Sequence, residues 1–358
     1  MKIVVHQGRF VGRPSQIFVK VTGTPNHMHS IEVSGEACMV ANGVFDSFEI
    51  SDAVSIPIIL KAVEQGFVAY SRGKTVIPPV AALHFEYPPG DCHIKYGYAK
   101  DGKYYVIKIA SGFHDNPNLG LPVGNGLMLL FDKQTGALLS ILLDEGYLTD
   151  LRTAAAGCIA AKYLAPKNIS CIGIVGTGAQ AYYQLKLLSF VTKCRRVMIW
   201  GRDESKAKKL KDHPDLREWR IELSRDLDQL TTDCNLIVTT TSSAKPLLFA
   251  HQIQPGTHIT AVGDDDVGKQ ELDPEIFARA EKVIVDSRSQ CIELGDVSYA
   301  VKRGVIEKER LIELGEVIMN SSLGRTSDAE ITLADLTGVA IQDLQIAAII
   351  FEKFSAQI

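Results

Sequence analysis

Gly176, Gly178 and Ala181 form the spacing Gly-x-Gly-x-x-Ala directly after residues 172–175, an apolar run typical of a buried strand. The first glycine allows a tight turn, the second lets a pyrophosphate approach the backbone, and the small third residue lets helix and strand pack closely. Residues 182–190 have helical apolar spacing, and the N-terminus of such a helix offers free N–H groups to phosphates. This order predicts a dinucleotide-binding turn, with an ordinary tight turn as the alternative.

Three ionisable residues could bind or transform a small acid. Lys108 lies in an otherwise apolar predicted strand, where an inward lysine is costly without a partner. Arg152 offers the planar fork that binds carboxylates. Asp265 follows the predicted strand 259–262, at the sheet edge where doubly wound folds place ligands, and repulsion from its two aspartate neighbours could raise one pKa. The alternatives are a solvated lysine, a helix-start salt bridge and a solvated acidic turn.

The end of the second predicted strand of this unit bears on the choice of cofactor. It reads Trp200-Gly201-Arg202-Asp203. An acidic side chain at this place binds a ribose 2′-hydroxyl, whereas an arginine favours the 2′-phosphate of NADP(H). Both types occur here in succession, so these residues leave NAD(H) and NADP(H) open. Thr240, Thr241 and Ser242 follow the fourth predicted strand and are expected to line the ribose of the nicotinamide.

Two kinds of secondary-structure pattern must position these residues. Before residue 148, consecutive strands joined by short turns predict an antiparallel or mixed sheet, on 80–85, 93–98, 104–110, 126–131 and 137–143. An alanine-rich helix from Thr149 to Leu164, stopped by Pro166, joins the halves. After it, strands alternate with helices, which predicts a parallel doubly wound sheet with strands at 171–175, 197–200, 220–223, 236–240, 259–262 and 283–285.

The predicted fold class is therefore α/β, a Rossmann-type sheet with a second α+β domain. We predict that residues 148–317 form the nucleotide-binding domain and that 1–147 with 318–358 form the substrate domain. Beyond Asp286 we expect helices, including an apolar helix at 336–354 that returns to the first domain. Pro57, inside a predicted helix after Ser51, indicates a kink or a split start.

The first 40 residues predict only a hairpin or small strand pair, with His27 and His29 in a loop and no metal site. The formal net charge of −4 gives no reason to expect a nucleic-acid partner. No apolar run approaches the ~18 residues of a membrane span, and no secretory signal is evident. Seven scattered cysteines without a CxxC pair fit reduced thiols, so we expect a cytoplasmic protein.

Four stretches together resemble the ornithine cyclodeaminase/mu-crystallin family. They are Thr149-Asp-Leu-Arg-Thr-Ala-Ala-Ala-Gly157, Gly176-Thr-Gly-Ala-Gln180, Ala261-Val-Gly-Asp-Asp-Asp-Val-Gly-Lys-Gln-Glu-Leu272 and Asp335-Leu-Thr-Gly-Val-Ala-Ile-Gln-Asp343. The run 113–122 resembles the branch with ectoine-utilisation cyclodeaminase-like proteins and iminosuccinate reductases. The resemblance implies a homodimer, formed through the sheet of the substrate domain, that binds NAD(P) and a small amino or imino acid.

The resemblance also implies roles for individual residues. Arg152 matches the substrate arginine, Lys108 the active-site lysine and Asp265 the catalytic aspartate. Thr337 takes a position near the nicotinamide, and Val262, at the end of its strand, is a further expected cofactor-binding residue. The cofactor contacts would come from Gly176, Thr177, Gly178, Ala179, Gln180, Arg202, Thr240, Thr241 and Ser242. NADPH-using mu-crystallin resembles this chain in the arginine at Arg202, and this resemblance favours NADP(H).

The chain departs from the family pattern at three places. Pro78-Pro79-Val80 stands where many members carry a carboxylate-binding arginine, and Leu336 replaces a family serine. Lys95 stands where ornithine cyclodeaminases carry Met-Pro; it would suit a second negative charge on the substrate, or lie at the surface. We therefore expect an NAD(P)-dependent imine reductase or amino-acid dehydrogenase, with ornithine cyclodeaminase or a non-catalytic NADPH-binding crystallin-like protein as alternatives.

Overall fold

The computed structural model describes residues 2–7, 15–24, 27–35, 43–113, 115–264 and 266–356. An N-terminal antiparallel sheet has the order β1-β2-β3, and its strands are β1 (Lys2–Gln7), β2 (Ser15–Thr24) and β3 (His27–Gly35). Three strands thus replace the expected hairpin or pair. His27 and His29 lie in β3 rather than in a loop, since this segment pairs along β2.

The second sheet is mostly antiparallel, as predicted. Its order is β4-β10-β9-β8-β7-β5, β6 pairs with β7, and only β4 and β10 run parallel. The strands are β4 (Gly43–Asp46), β5 (Thr75–Val76), β6 (Ala81–Phe85), β7 (Gly90–Ala99), β8 (Tyr104–Phe113), β9 (Gly124–Asp132) and β10 (Leu138–Leu143). The helices of this part are α1 (Ser47–Ser51) and α2 (Ile56–Ser71).

The start of α2 is split rather than kinked. Asp46 caps α1 by accepting hydrogen bonds from the backbone N–H groups of Phe48 and Glu49. The second helix then begins after Ser55, with Pro57 in its first turn. Proline is tolerated there because the first N–H groups of a helix have no partner inside the helix.

The third sheet is wholly parallel and has the order β13-β12-β11-β14-β16-β20-β18-β19. The strands of this sheet are β11 (Ile172–Val175), β12 (Arg196–Trp200), β13 (Arg220–Leu223), β14 (Leu236–Thr239), β16 (His258–Ala261), β18 (Lys282–Val285), β19 (Leu311–Glu313) and β20 (Thr332–Asp335). Two further strands lie outside it, β15 (Ala244–Leu248) and β17 (Gln270–Leu272). The strand order changes direction between β11 and β14, and ligands bind at such a switch point.

The remaining helices connect and cover the sheets. They are α3 (Tyr147–Leu164), α4 (Ala179–Leu188), α5 (Glu204–Lys211), α6 (Leu227–Asp233), α7 (Pro274–Arg279), α8 (Arg288–Glu293), α9 (Val297–Lys302), α10 (Leu314–Met319) and α11 (Ala340–Ser355). Helix α3 is buried on nearly all sides and packs against α2 and α4. Among the helices described, none is long and apolar enough to cross a membrane.

The chain after Asp286 is not only helical, contrary to the sequence-based expectation. Strand β19 lies at the edge of the parallel sheet, and β20 is inserted between β16 and β18. All four residues of β20 are buried, and so short a run has no periodicity that distinguishes strand from helix. Residues 332–335, predicted to belong with the substrate domain, thus join the parallel sheet, whereas the boundaries of the two domains stay a prediction. Helix α11 does return to pack on α2 and on β7 to β9.

Candidate active site

Two adjoining cavities lie where the second and third sheets meet. The larger, which we call the glycine-turn cavity, has a volume of about 760 Å³ and lies at the switch point of the parallel sheet. The smaller, the lysine cavity, measures about 150 Å³. Ala110, Thr149, Asp150 and Gln180 line both. A ligand in one cavity would therefore reach the opening of the other.

The two glycines of the turn have different physical roles. Gly176 has a φ of 129°, and a Cβ there would come within 2.3 Å of the Thr240 hydroxyl oxygen. Its backbone conformation and close packing therefore require glycine. Gly178, at the start of α4, has no heavy atom within 4 Å of an added Cβ. This open space above a helix N-terminus is the kind of cradle that a pyrophosphate occupies.

Most of the predicted cofactor residues line the glycine-turn cavity: Gly176, Thr177, Gly178, Ala179, Gln180, Arg202, Thr240, Thr241 and Ser242. Lys206 lines it as well. Asp203 also borders the cavity, but its Oδ1 accepts hydrogen bonds from the Ser205 and Lys206 backbone N–H groups and caps α5. The remaining two predicted cofactor residues, Val262 and Thr337, line the lysine cavity instead.

Two lysines enter the lysine cavity from neighbouring strands. Lys95 and Lys108 stand directly opposite each other in the β7–β8 register, so their side chains share one face of the sheet. Both are buried, with exposures of 4% and 2%. Helix α11 covers this face, which is why the lysine in an apolar strand points inward rather than to water.

Lys95 is held by backbone groups of the opposite wall. Its Nζ donates hydrogen bonds of 2.8 Å to the carbonyl oxygens of both Thr337 and Gly338. From the other side, Asp286 accepts hydrogen bonds from the Gly338 N–H at 2.7 Å and from the Thr337 hydroxyl at 3.2 Å. Lys95 thus fixes the turn between β20 and α11 and does not lie at the surface; because it lines the lysine cavity, its binding of a second negative charge stays a prediction.

Arg152 is the third buried cation of the lysine cavity. Its Nε lies 3.0 Å from Asp343 Oδ1, and its Nη1 donates to Gln342 Oε1 at 3.2 Å, both on α11. A Cβ on Gly338 would lie 2.3 Å from Nη1, so the guanidinium packs directly on that glycine. Because Asp343 is fully buried, this pair holds the guanidinium in place without solvent competition.

Gln180 ties the glycine turn to the lysine cavity. Its Nε2 donates to the backbone oxygen of Asp150 at 3.1 Å and to Oδ1 of the same residue at 2.9 Å. Burial raises the pKa of the Asp150 carboxyl, while the Gln180 hydrogen bond and the charges of Arg152 and Lys108 oppose that rise. Burial likewise raises the pKa of Asp144, at the end of β10, to about 6.

The predicted catalytic residue Asp265 lies outside the described residues. Its neighbours Asp264 and Asp266 are buried, and Glu271 holds Gly263, just before them. The Glu271 carboxylate accepts hydrogen bonds from the Gly263 N–H at 2.9 Å and the Thr241 N–H at 2.6 Å. These bonds tie the loop after β16 to the end of β14, which borders the glycine-turn cavity.

Several site residues were missed from the sequence. His93, which lies two positions before Lys95 on the same strand face, lines the lysine cavity. The period-two alternation of a strand could have indicated it. Asp286, Gln342 and Asp343 hold the cavity wall. Gln342 and Asp343 end one of the stretches that carry the family resemblance, but no local pattern indicated a role for these three residues, since their partners are distant in sequence.

Comparison with known proteins places this architecture among known enzymes. The sequence profile of the ornithine cyclodeaminase/mu-crystallin family matches residues 42–357. Alanine dehydrogenase of Archaeoglobus fulgidus is 40% identical, over 85% of this chain and 92% of its own length. Iminosuccinate reductase of Paracoccus denitrificans is 32% identical, over 85% and 94%. A solved archaeal alanine dehydrogenase dimer with bound NAD has a TM-score of 0.80 at 38% identity, and the alignment covers 88% of this chain and 97% of that one.

Proposed function

The chain belongs to the ornithine cyclodeaminase/mu-crystallin family, and we propose that it is an NAD(P)(H)-dependent oxidoreductase of small α-imino and α-amino acids. It would reduce the imino acid, or oxidatively deaminate the matching amino acid. The observation that carries this proposal is the pair of buried cations, Lys108 and Arg152, in a small cavity that adjoins the glycine turn. Alanine dehydrogenase and iminosuccinate reductase, both similar to this chain, act on such compounds by their names.

The glycine-turn cavity fits a dinucleotide. The open space at Gly178 and the free N–H groups at the start of α4 would receive the pyrophosphate, and Thr240 to Ser242 would line the ribose of the nicotinamide. When bound, the nicotinamide supplies or accepts the hydride. Gln180 lines both cavities, so it would lie between the bound cofactor and the bound substrate.

Arg202 and Lys206 support acceptance of NADP(H). Both line the glycine-turn cavity, and a 2′-phosphate would pair with such cations. Asp203, the acidic residue that could instead bind a 2′-hydroxyl, uses one oxygen to cap α5. This arrangement favours NADP(H), while the NAD bound to the archaeal relative supports NAD(H) as well.

In the lysine cavity, Lys108 and Arg152 would bind the substrate carboxylate, because a buried cation gains most from an anion where water is excluded. Held in this way, the α-carbon and its nitrogen would face the glycine-turn cavity where the two cavities share lining residues. Asp265 would donate a proton to the imine nitrogen during reduction, or accept one from the amine in the reverse direction. Lys95 would keep the wall at Thr337 and Gly338 in place.

We further propose a homodimer formed through the second sheet. The face of β7 and β8 opposite the two lysines carries Tyr96, Tyr105 and Ile107, which line a shallow apolar depression of about 780 Å³. The archaeal relative is a dimer. Size-exclusion chromatography at micromolar concentration should give twice the 39.1 kDa of one chain, and a species of one chain alone would contradict the proposal.

Absorbance of NAD(P)H tests the reaction. The purified protein with 2-oxo acids and ammonium should consume NADPH or NADH stoichiometrically, and the amino acid should appear. An ornithine cyclodeaminase would instead release ammonia from ornithine with no net change in nucleotide, and a crystallin-like protein would bind nucleotide without turnover. The small volume of the lysine cavity, about 150 Å³, favours a compact acid over ornithine.

A further inference from the structure

A third cavity lies directly behind the lysine cavity. This outer cavity has a volume of about 280 Å³ and is lined in part by Pro78, Val80, Ala82 and Leu294. Its polar lining includes His84, Asp266 and Gln290. Glu293 lines it as well, so the outer cavity is a space of mixed apolar and polar lining next to the proposed substrate site.

Of the described residues, His93 alone lines both the lysine cavity and the outer cavity. Its side chain is 10% exposed and stands on β7, two residues from Lys95. Next to it, the separating wall includes the Thr337–Gly338 backbone, to whose carbonyl oxygens Gln290 Nε2 donates hydrogen bonds from the outer side. Among the described residues, the imidazole is thus the side chain whose removal would join the two spaces.

Acidic groups flank the ring on both sides. The His93 Nδ1 lies 3.5 Å from Asp91 Oδ1, and its Nε2 lies 3.5 Å from Asp266 Oδ2. His84 approaches the same Asp266 oxygen at 3.8 Å, but its side chain is 61% exposed and borders only the outer cavity. His93 therefore stands between the lysine cavity and the outer cavity with a carboxylate on each side, whereas His84 lies at the surface beside the outer cavity.

We propose that His93 is the specificity-determining residue that limits the length of the substrate side chain. This inference rests on the proposed function. A cavity of about 150 Å³ holds a ligand of about six non-hydrogen atoms, such as benzene, and the imine of pyruvate is of that size. The substrate class is thus a short α-imino acid, and longer side chains would enter the outer cavity only past His93.

The test is a series of straight-chain 2-oxo acids, from pyruvate to 2-oxohexanoate, each reduced in the presence of ammonium and NAD(P)H. In the wild type, kcat/KM should fall steeply with chain length. His93→Ala should raise the ratio of kcat/KM for 2-oxohexanoate to that for pyruvate by at least about 10- to 100-fold, since even one of the three extra methylenes, once accommodated, is worth roughly that order in a fitted pocket. His93→Ser, which also shortens the side chain, should do the same if the alanine variant folds poorly.

Three control variants separate size from other roles of the ring. His93→Phe keeps a ring without the polar contacts and should leave the ratio at the wild-type value, as should His84→Ala. Val80→Phe, added to His93→Ala, should refill the outer cavity and cancel the gain. An unchanged ratio in both His93→Ala and His93→Ser, or an equal gain in His93→Phe, would overturn the specificity role of His93 while leaving the proposed function intact. Absence of turnover by the wild type with every acid would contradict the proposed function, and the inference with it.

Discussion

The glycine-turn cavity and the lysine cavity adjoin each other but are built in opposite ways. The first takes short consecutive stretches from the ends of neighbouring parallel strands, such as 176–180 and 240–243. The second gathers single side chains from β7, β8, α3 and the turn before α11. Phosphates can be bound by local backbone geometry, whereas a buried cation needs partners that hold it, and here these come from distant parts of the chain.

The largest expected effect tests whether acid–base chemistry can be separated from nucleotide binding in the glycine-turn cavity. Asp265→Asn keeps the size and removes the titratable group, so kcat should fall by ~10² to 10⁴-fold. The dissociation constant of the nucleotide, measured by fluorescence titration, should stay unchanged. Asp266→Asn is the matched control and should cost far less. If Asp266 proves the sensitive position, the assignment of Asp265 fails.

The next prediction addresses the glycine-turn cavity. Gly178→Val should weaken nucleotide binding by at least ~100-fold, because the side chain would fill the space next to the helix N-terminus. The melting temperature of the unliganded protein should not change, since an added Cβ meets no atom there. Gly176→Val is the contrasting variant and should lower the melting temperature, because its Cβ would collide with Thr240. Equal destabilisation by both variants would contradict the distinction between the two glycines.

Lys108→Met should affect the lysine cavity without affecting the nucleotide. Loss of a charged hydrogen bond to the substrate carboxylate costs about 1.5–3 kcal/mol, which predicts a decrease in kcat/KM of about 10- to 100-fold, with both kcat and KM affected. Lys103→Met, in the exposed turn before the same strand, serves as the control and should leave the kinetics unchanged. A loss confined to nucleotide affinity would contradict the assignment of Lys108 to substrate binding in the lysine cavity.

Arg202→Ala should distinguish the two cofactors within the glycine-turn cavity. Its guanidinium can pair with a 2′-phosphate, so KM for NADPH should rise by about 10-fold while KM for NADH changes little. Steady-state kinetics with each cofactor at saturating substrate measures this difference. Equal changes for both cofactors would show that Arg202 does not bind that phosphate.

A prediction on stability concerns Asp144, a buried carboxyl on which the charge of Lys108 acts. Burial raises the pKa of Asp144 to about 6, above the ~3.9 of an unfolded aspartate. Because the folded state binds the proton more tightly, the stabilisation is complete below about pH 4 and lost as the pH rises through 6. Asp144→Asn does not titrate, so its free energy of unfolding relative to wild type should rise by about 2–3 kcal/mol from pH 4 to pH 7. Urea unfolding at several pH values measures this, and a constant difference would contradict it.

The sequence by itself determined the local features. The glycine turn, the strand–helix alternation after Leu164 and most strand positions follow from short-range patterns, because backbone conformation and apolar periodicity are properties of neighbouring residues. For Lys108 the sequence left an inward and a solvated side chain as alternatives, and burial of this strand face beneath α11 decided between them. The residues of the nucleotide turn could therefore be placed at the carboxyl ends of the parallel strands.

Only the tertiary structure decided how the cations are held. Lys95 bonds to carbonyl groups more than two hundred residues away, and Arg152 pairs with Asp343 on the last helix. Strand β20 likewise could not be predicted from the sequence, because its four buried residues carry no periodicity of their own. The strand depends on pairing with β16 and β18. The position of His93 between two cavities is of the same kind: the volume on either side of a side chain is set by packing between distant segments, which no local pattern encodes.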